Sequence, residues 1–98
     1  MEDPKKPMEV DLHIDELIDT VSGMDNAAIL EYQLEHVEEV MRSHAKAKGK
    51  RIVFIHGKGE GVLRMAVLKL LKEKFSTCQT QDASFKEYGF GATMVTIR

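Results

Sequence analysis

The chain has 98 residues, 43% hydrophobic and 31% charged, which bounds it to one folded domain and excludes both a wholly disordered chain and a pair of cores. A formal net charge of -2 and a pI of about 6.1 exclude strong unspecific attraction to nucleic acid, so such binding has to come from a local patch. A single cysteine, Cys78, excludes an internal disulfide and a cysteine-rich zinc site, and it reads as a small strand residue.

Residues 1–7, Met-Glu-Asp-Pro-Lys-Lys-Pro, read as a linker or tail, and residues 8–98 as the domain. From Met8 to His13 apolar and polar residues alternate, placing Met8, Val10 and Leu12 on one side and Glu9, Asp11 and His13 on the other, as in a half-buried strand. Asp15 to Ser22 predicts a short helical turn ended by Gly23. Asp25 or Asn26 then caps a long helix to about Lys48, with Ala27, Leu30, Leu34, Val37, Met41 and Ala45 as its inward stripe and Gly49 as its stop. Glu31, Glu35, Glu38 and Glu39 precede Arg42, Lys46 and Lys48, which suits the helix dipole on a solvated face. His36 and His44 fall on that helix and receive no role.

Arg51 to His56 contains a short apolar block, Ile52 to Ile55, that predicts a strand covered on both faces. A turn with Gly57, Gly59 and Gly61 follows, and helical spacing resumes from Val62 to Lys74 with Leu63, Ala66, Val67, Leu70 and Leu71 inward. Such a turn leaves the backbone open to an anion, and the helix start adds unpartnered amides at the positive end of its dipole. Lys58 and Arg64 contribute charge at that mouth, and His56 adds a group that titrates near neutral pH. Thr77 to Asp82 predicts a polar edge strand, Ala83 to Ala92 a loop, and Thr93 to Arg98 a last strand.

The order is β-α-β-α-β-β, which calls for an α/β fold, an α+β two-layer sandwich with both helices on one face of a four-stranded mixed sheet. The polar third strand implies that the last strand inserts between the second and third. His13 and His56 then lie at the carboxyl ends of two parallel strands, the usual ligand-binding end of an open sheet. Asp11 and His13 share a side of their strand, about 6.6 Å apart along it. A carboxylate there can orient an imidazole as a base, or the two can hold a divalent metal.

Val10-Asp11-Leu12-His13 resembles the Asp-Leu-His motif of the Smr (small MutS-related) domain, and the run from His56 to Arg64 resembles that family's His-Gly-x-Gly-x-x-x-Leu-Arg motif. Gly89-Phe90-Gly91-Ala92-Thr93-Met94-Val95 is similar to its looser third signal, a glycine turn feeding the last strand. Ile14 stands where the family's first motif usually carries glycine. The resemblance implies a fold akin to the C-terminal domain of translation initiation factor three, binding of DNA or RNA, and, in several members, nicking endonuclease activity. It implies catalytic roles for Asp11, His13 and His56, and phosphate or nucleic-acid contacts at Gly57, Lys58, Gly59, Gly61, Arg64, Gly89 and Gly91.

Three functions are consistent with the sequence: a phosphodiesterase, metal-assisted or histidine-driven; a non-catalytic nucleic-acid binding module; and a protein-interaction unit. Phe85, Tyr88 and Phe90 are candidates to stack bases or to pin their loop to the core. No apolar run reaches membrane-spanning length and no signal-peptide core is present, so the expectation is a cytoplasmic protein without membrane contact. The strand-like ending suggests the C-terminal part of a longer protein with other domains.

Overall fold

The structure, a computed structural model, describes residues 6–18, 22–57, 61–83, 85–88 and 91–98. In chain order the elements are β1 (Met8–Asp11), α1 (Ile14–Leu17), α2 (Asn26–Ser43), β2 (Arg51–Ile55), α3 (Val62–Lys74), β3 (Gln79–Asp82), α4 (Phe85–Tyr88) and β4 (Ala92–Thr96). The sheet order is β1-β2-β4-β3, with β1 parallel to β2 and β4 antiparallel to both β2 and β3. The last strand therefore does insert next to β2, and the reason is burial. All four residues of β3, Gln-Thr-Gln-Asp, are exposed and suit an edge, whereas Ala92, Thr93 and Val95 are buried.

One face of the sheet carries both long helices. Val10, Ile52, Phe54, Val95 and Ile97 from the sheet meet Val37, Val40 and Met41 of α2 and Val67 and Leu71 of α3 in one buried cluster. Strand alternation sends Val53, Ala92 and Met94 to the opposite face, where they form a smaller cluster with Ala83 and Tyr88. That face is covered in part by α4, a turn of helix within the stretch expected to be loop.

Asp25 caps α2 by accepting the Ala28 amide at 2.8 Å. The helix ends at Ser43, five residues before the expected Lys48, because His44 leaves helical geometry (φ -115°, ψ 12°) while its ring Nδ1 donates to the Val40 carbonyl at 2.9 Å. Residues 44–48 continue as turns bonded three residues back, such as Ala47 N–H to His44 O at 2.9 Å. Ala45 is consequently exposed, as is Ala27 at the other end, and the inward stripe instead includes Val40 and Gln33. Cys78 sits half-buried just before β3, not within a strand. Among the described residues no helix is long and apolar enough to cross a membrane.

Candidate functional site

The parallel run of β1, β2 and β3 brings their carboxyl ends together, and the antiparallel β4 delivers its start to the same end. His13 follows β1, His56 and Gly57 follow β2, Asp82 closes β3, and Gly91 opens β4. Arg64 reaches the same end from the first turn of α3.

Asp11 is the last residue of β1, and its carboxylate folds back on the chain. Its Oδ1 accepts the His13 amide at 2.9 Å and the His13 Nδ1–H at 2.6 Å. Burial pushes the Asp11 carboxyl up, but the His13 amide, the His13 ring and its charge together outweigh that and hold the carboxyl below its ordinary range. With Nδ1–H committed to Asp11, the neutral imidazole presents a lone pair at Nε2. That nitrogen lies 3.0 Å from the position a Cβ would occupy on Gly57. The His13 side chain is 52% exposed, so the pair is open to solvent. Ile14 begins α1 and is half-buried, in a helical conformation that makes no demand for glycine.

The backbone behind His13 is fixed by a residue not singled out in the sequence. Gln33, buried on α2, donates its Nε2–H to the Leu12 carbonyl at 2.8 Å, while the Leu12 amide donates to Ile55 O at 2.9 Å. The peptide linking Asp11 to His13 is thus held from both sides. The signal was present, since Gln33 is the lone amide at a stripe position, three residues from Leu30 and four from Val37.

Gly57 has φ +83°, and a side chain there would also strike His13, so glycine is required twice over. Its amide is committed within the fold, because the Gly91 carbonyl accepts both His56 N–H and Gly57 N–H at 2.9 Å. Gly91 in turn lies so close that an added Cβ would sit 3.2 Å from the Gly57 backbone. Gly57 and Gly91 therefore shape the site by close approach rather than by offering amides. Gly61 caps α3 in left-handed conformation, and the first intrahelical bond runs from Met65 N–H to Gly61 O at 2.9 Å. The opening amides of α3 precede it. Lys58, Gly59, Gly89 and Phe90 lie outside the described residues, as does the side chain of Phe85.

His56 is placed differently from His13. It is 7% exposed, its Nδ1 lies 3.1 Å from Gly57 O and its Nε2 2.9 Å from Thr93 Oγ1. A neutral ring that donates from Nδ1 and accepts the Thr93 hydroxyl satisfies both contacts. Burial holds its pKa below the ordinary imidazole value; the Gly57 bond and Asp82 oppose this, and the charge of Arg64 adds to it. Arg64 itself donates to Asp82 Oδ1 at 2.9 Å, a partner eighteen residues away in sequence. On the face opposite the two long helices, Tyr88 of α4 donates its hydroxyl to Glu9 of β1. Glu9, burial and Glu87 together raise the phenol to about 12. Among the described residues no three His, Cys, Asp or Glu side chains gather as a metal site; Asp11 and His13 offer a pair of donors.

A small mixed sheet with both long helices on one face, and with its polar groups converging at one sheet end, defines a compact α/β domain with a candidate anion-facing edge. The Smr domain model matches residues 27–98, and the chain belongs to that family. The matched stretch contains His56, Gly57, Arg64 and Gly91 and begins after Asp11 and His13. Endonuclease MutS2 of Finegoldia magna (strain ATCC 29328 / DSM 20472 / WAL 2508) is 35% identical over 49 residues, which is 50% of this chain but only 6% of that relative.

Proposed function

We propose that this domain binds DNA or RNA through the sheet end that carries the glycine turn, and that Asp11 and His13 form a base for phosphodiester hydrolysis there. The observation that carries the reading is the aspartate-oriented imidazole whose Nε2 rests over Gly57, at the head of the turn leading into α3. In this scheme a phosphate lies against the opening of α3, where Arg64 and the helix amides stabilise its developing charge. His13 Nε2 removes the proton from an attacking water, or from a ribose hydroxyl in the corresponding transesterification, as its oxygen bonds to phosphorus; Asp11 stabilises the resulting imidazolium, and the leaving oxygen takes a proton from solvent as its P–O bond breaks. A divalent metal would add Lewis-acid chemistry at the same phosphate, with Asp11 and His13 as the nearest described donors. His56 serves as a buried strut between Gly57 and Thr93, positioning the turn. Family membership and the endonuclease named among its relatives support the nucleic-acid reading; residence in the cytoplasm and attachment to other domains belong to the proposal.

A non-catalytic interaction module is the second reading: with Arg64 already paired with Asp82, its charge is partly neutralised and less available to stabilise a transition state at phosphorus. The test is incubation with supercoiled plasmid and with structured RNA, with and without divalent metal, for the natural chain and for His13→Ala and Asp11→Asn. Cleavage lost in His13→Ala supports the hydrolytic reading. Cleavage insensitive to His13 overturns it, and salt-sensitive binding without cleavage leaves the module.

A further inference from the structure

We infer that the open edge of β1 is a docking site for an extended peptide that adds a further strand to the sheet, and that it selects a segment in which basic and apolar side chains alternate. The inference stands apart from the nucleic-acid reading, since it concerns a protein ligand on the side of β1 away from β2. Among the described residues β1 pairs with β2 alone and forms one border of the sheet. The Leu12 amide donates to Ile55 O at 2.9 Å, so by the alternation of a parallel ladder Met8 and Val10 also turn their backbone groups toward β2. The N–H and C=O of Glu9 and of Asp11 then point outward, where a strand laid alongside can pair with them.

A cavity of about 450 Å³ runs along this border. Its lining includes Val10, which faces the helices, and Glu9 and Asp11, which face the other side, yet no residue of β2; it therefore follows the edge of the strand rather than either face. Leu17 of α1 and Tyr32, His36 and Val40 of α2 wall it. The chemistry of the peptide follows from the pleat, because side chains directly opposite one another on neighbouring strands share a face whichever way the new strand runs. The residue opposite Val10 is turned to the wall of Leu17, Tyr32 and Val40 and should be apolar, whereas those opposite Glu9 and Asp11 meet carboxylates and should be basic. The lining holds no lysine or arginine to cancel that charge. Glu9 accepts the Tyr88 hydroxyl and Asp11 binds the His13 ring, while Glu16, exposed at the rim, holds no ion pair among the described residues. The same carboxylates disfavour a second copy as the occupant, because an antiparallel pairing of two β1 edges sets Glu9 and Asp11 against like charges. They disfavour a nucleic-acid backbone for the same reason.

The test is an NMR titration of the full chain with the capped peptide Val-Lys-Val-Lys-Val, its Val-Glu-Val-Glu-Val counterpart, and the basic peptide N-methylated throughout, which cannot form the ladder. The basic peptide should slow hydrogen exchange of the Glu9 and Asp11 amides and shift the methyl groups of Leu17 and Val40. The acidic peptide should bind roughly tenfold more weakly, the combined effect of two reversed cross-strand charge pairs. Glu16→Lys, at an exposed position, should narrow that difference. N-methylation should abolish binding, which separates strand addition from charge attraction alone. Equal binding of the acidic and basic peptides, undiminished binding of the N-methylated one, or silence of the Glu9 and Asp11 amides with every peptide overturns the inference. Protection of those amides that rises with protein concentration alone assigns the edge to a second copy and overturns it too. So do shifts of the Leu17 and Val40 methyls with a single-stranded oligonucleotide in place of the basic peptide.

Discussion

Replacing Gln33 by Met removes one hydrogen-bond donor from the interior at nearly constant side-chain volume and flexibility. Leu12 is fully buried, and Gln33 Nε2 is the group that bonds its carbonyl, at 2.8 Å. An acceptor stranded in such a place costs about 1–3 kcal/mol. A thioether lies comfortably beside Val37 and its neighbours and recovers up to roughly 1 kcal/mol through better apolar burial. The expected net loss is therefore about 1–2 kcal/mol, which for a domain of this size lowers the Tm by roughly 4–8 °C per kcal/mol. Urea unfolding should show a lower midpoint with an unchanged slope. A second readout isolates the site from general destabilisation. The Leu12–His13 peptide should lose its fixed direction, so the ¹⁵N signal of His13 Nδ1 should move toward that of an imidazole without a carboxylate partner. Unchanged stability together with an unchanged His13 signal would refute the assignment of Gln33 as the residue that aims His13.

Burial keeps His56 neutral in the fold, so its folded pKa lies below the unfolded value of about 6.5. The stability it contributes is present above that value and is lost as pH falls through and below it; denaturant melts from pH 7.5 to 5 and the His56 ring-proton titration check this. The Tyr88 phenol, raised to about 12, stabilises the fold below pH 10 and loses that contribution as pH climbs toward 12. In a Tyr32→Phe background the ultraviolet titration should show its ionisation delayed to about pH 12, and a midpoint near 10 would dissolve the Glu9 contact. Asp82→Asn should release Arg64 and raise affinity for a single-stranded oligonucleotide, while Arg64→Ala should lower it by about 1–3 kcal/mol and reduce the salt slope by about 1; equal affinity in all three proteins would place Arg64 outside the interface.

The architecture was legible because each of its cues is local. Period-two spacing in Met8 to Leu12, period-three-and-four spacing in α2 and α3, and the polar run of β3 together specify which strand is an edge and which face carries helices. The placement of His13 and His56 at one sheet end followed from strand direction alone. Their different surroundings did not, because burial of His56 against Thr93 depends on β4 lying beside β2, a pairing between residues 37 apart. The pairs Arg64 with Asp82 and Tyr88 with Glu9 likewise join separate elements, and no spacing rule announces them. The early end of α2 turned on one side chain, His44, competing for a backbone carbonyl that helix continuation would have used.

The place of β4 in the sheet also orders the domain in time. It comes last in this sequence yet lies between β2 and β3, and it supplies both the Gly91 carbonyl that anchors the glycine turn and the Thr93 hydroxyl that holds His56. During synthesis the histidine motif emerges from the ribosome well before the strand that locks it, so a nascent chain carries the residues of the site without its geometry. Competence at this sheet end is gained in one late step, when the central gap in the sheet is filled.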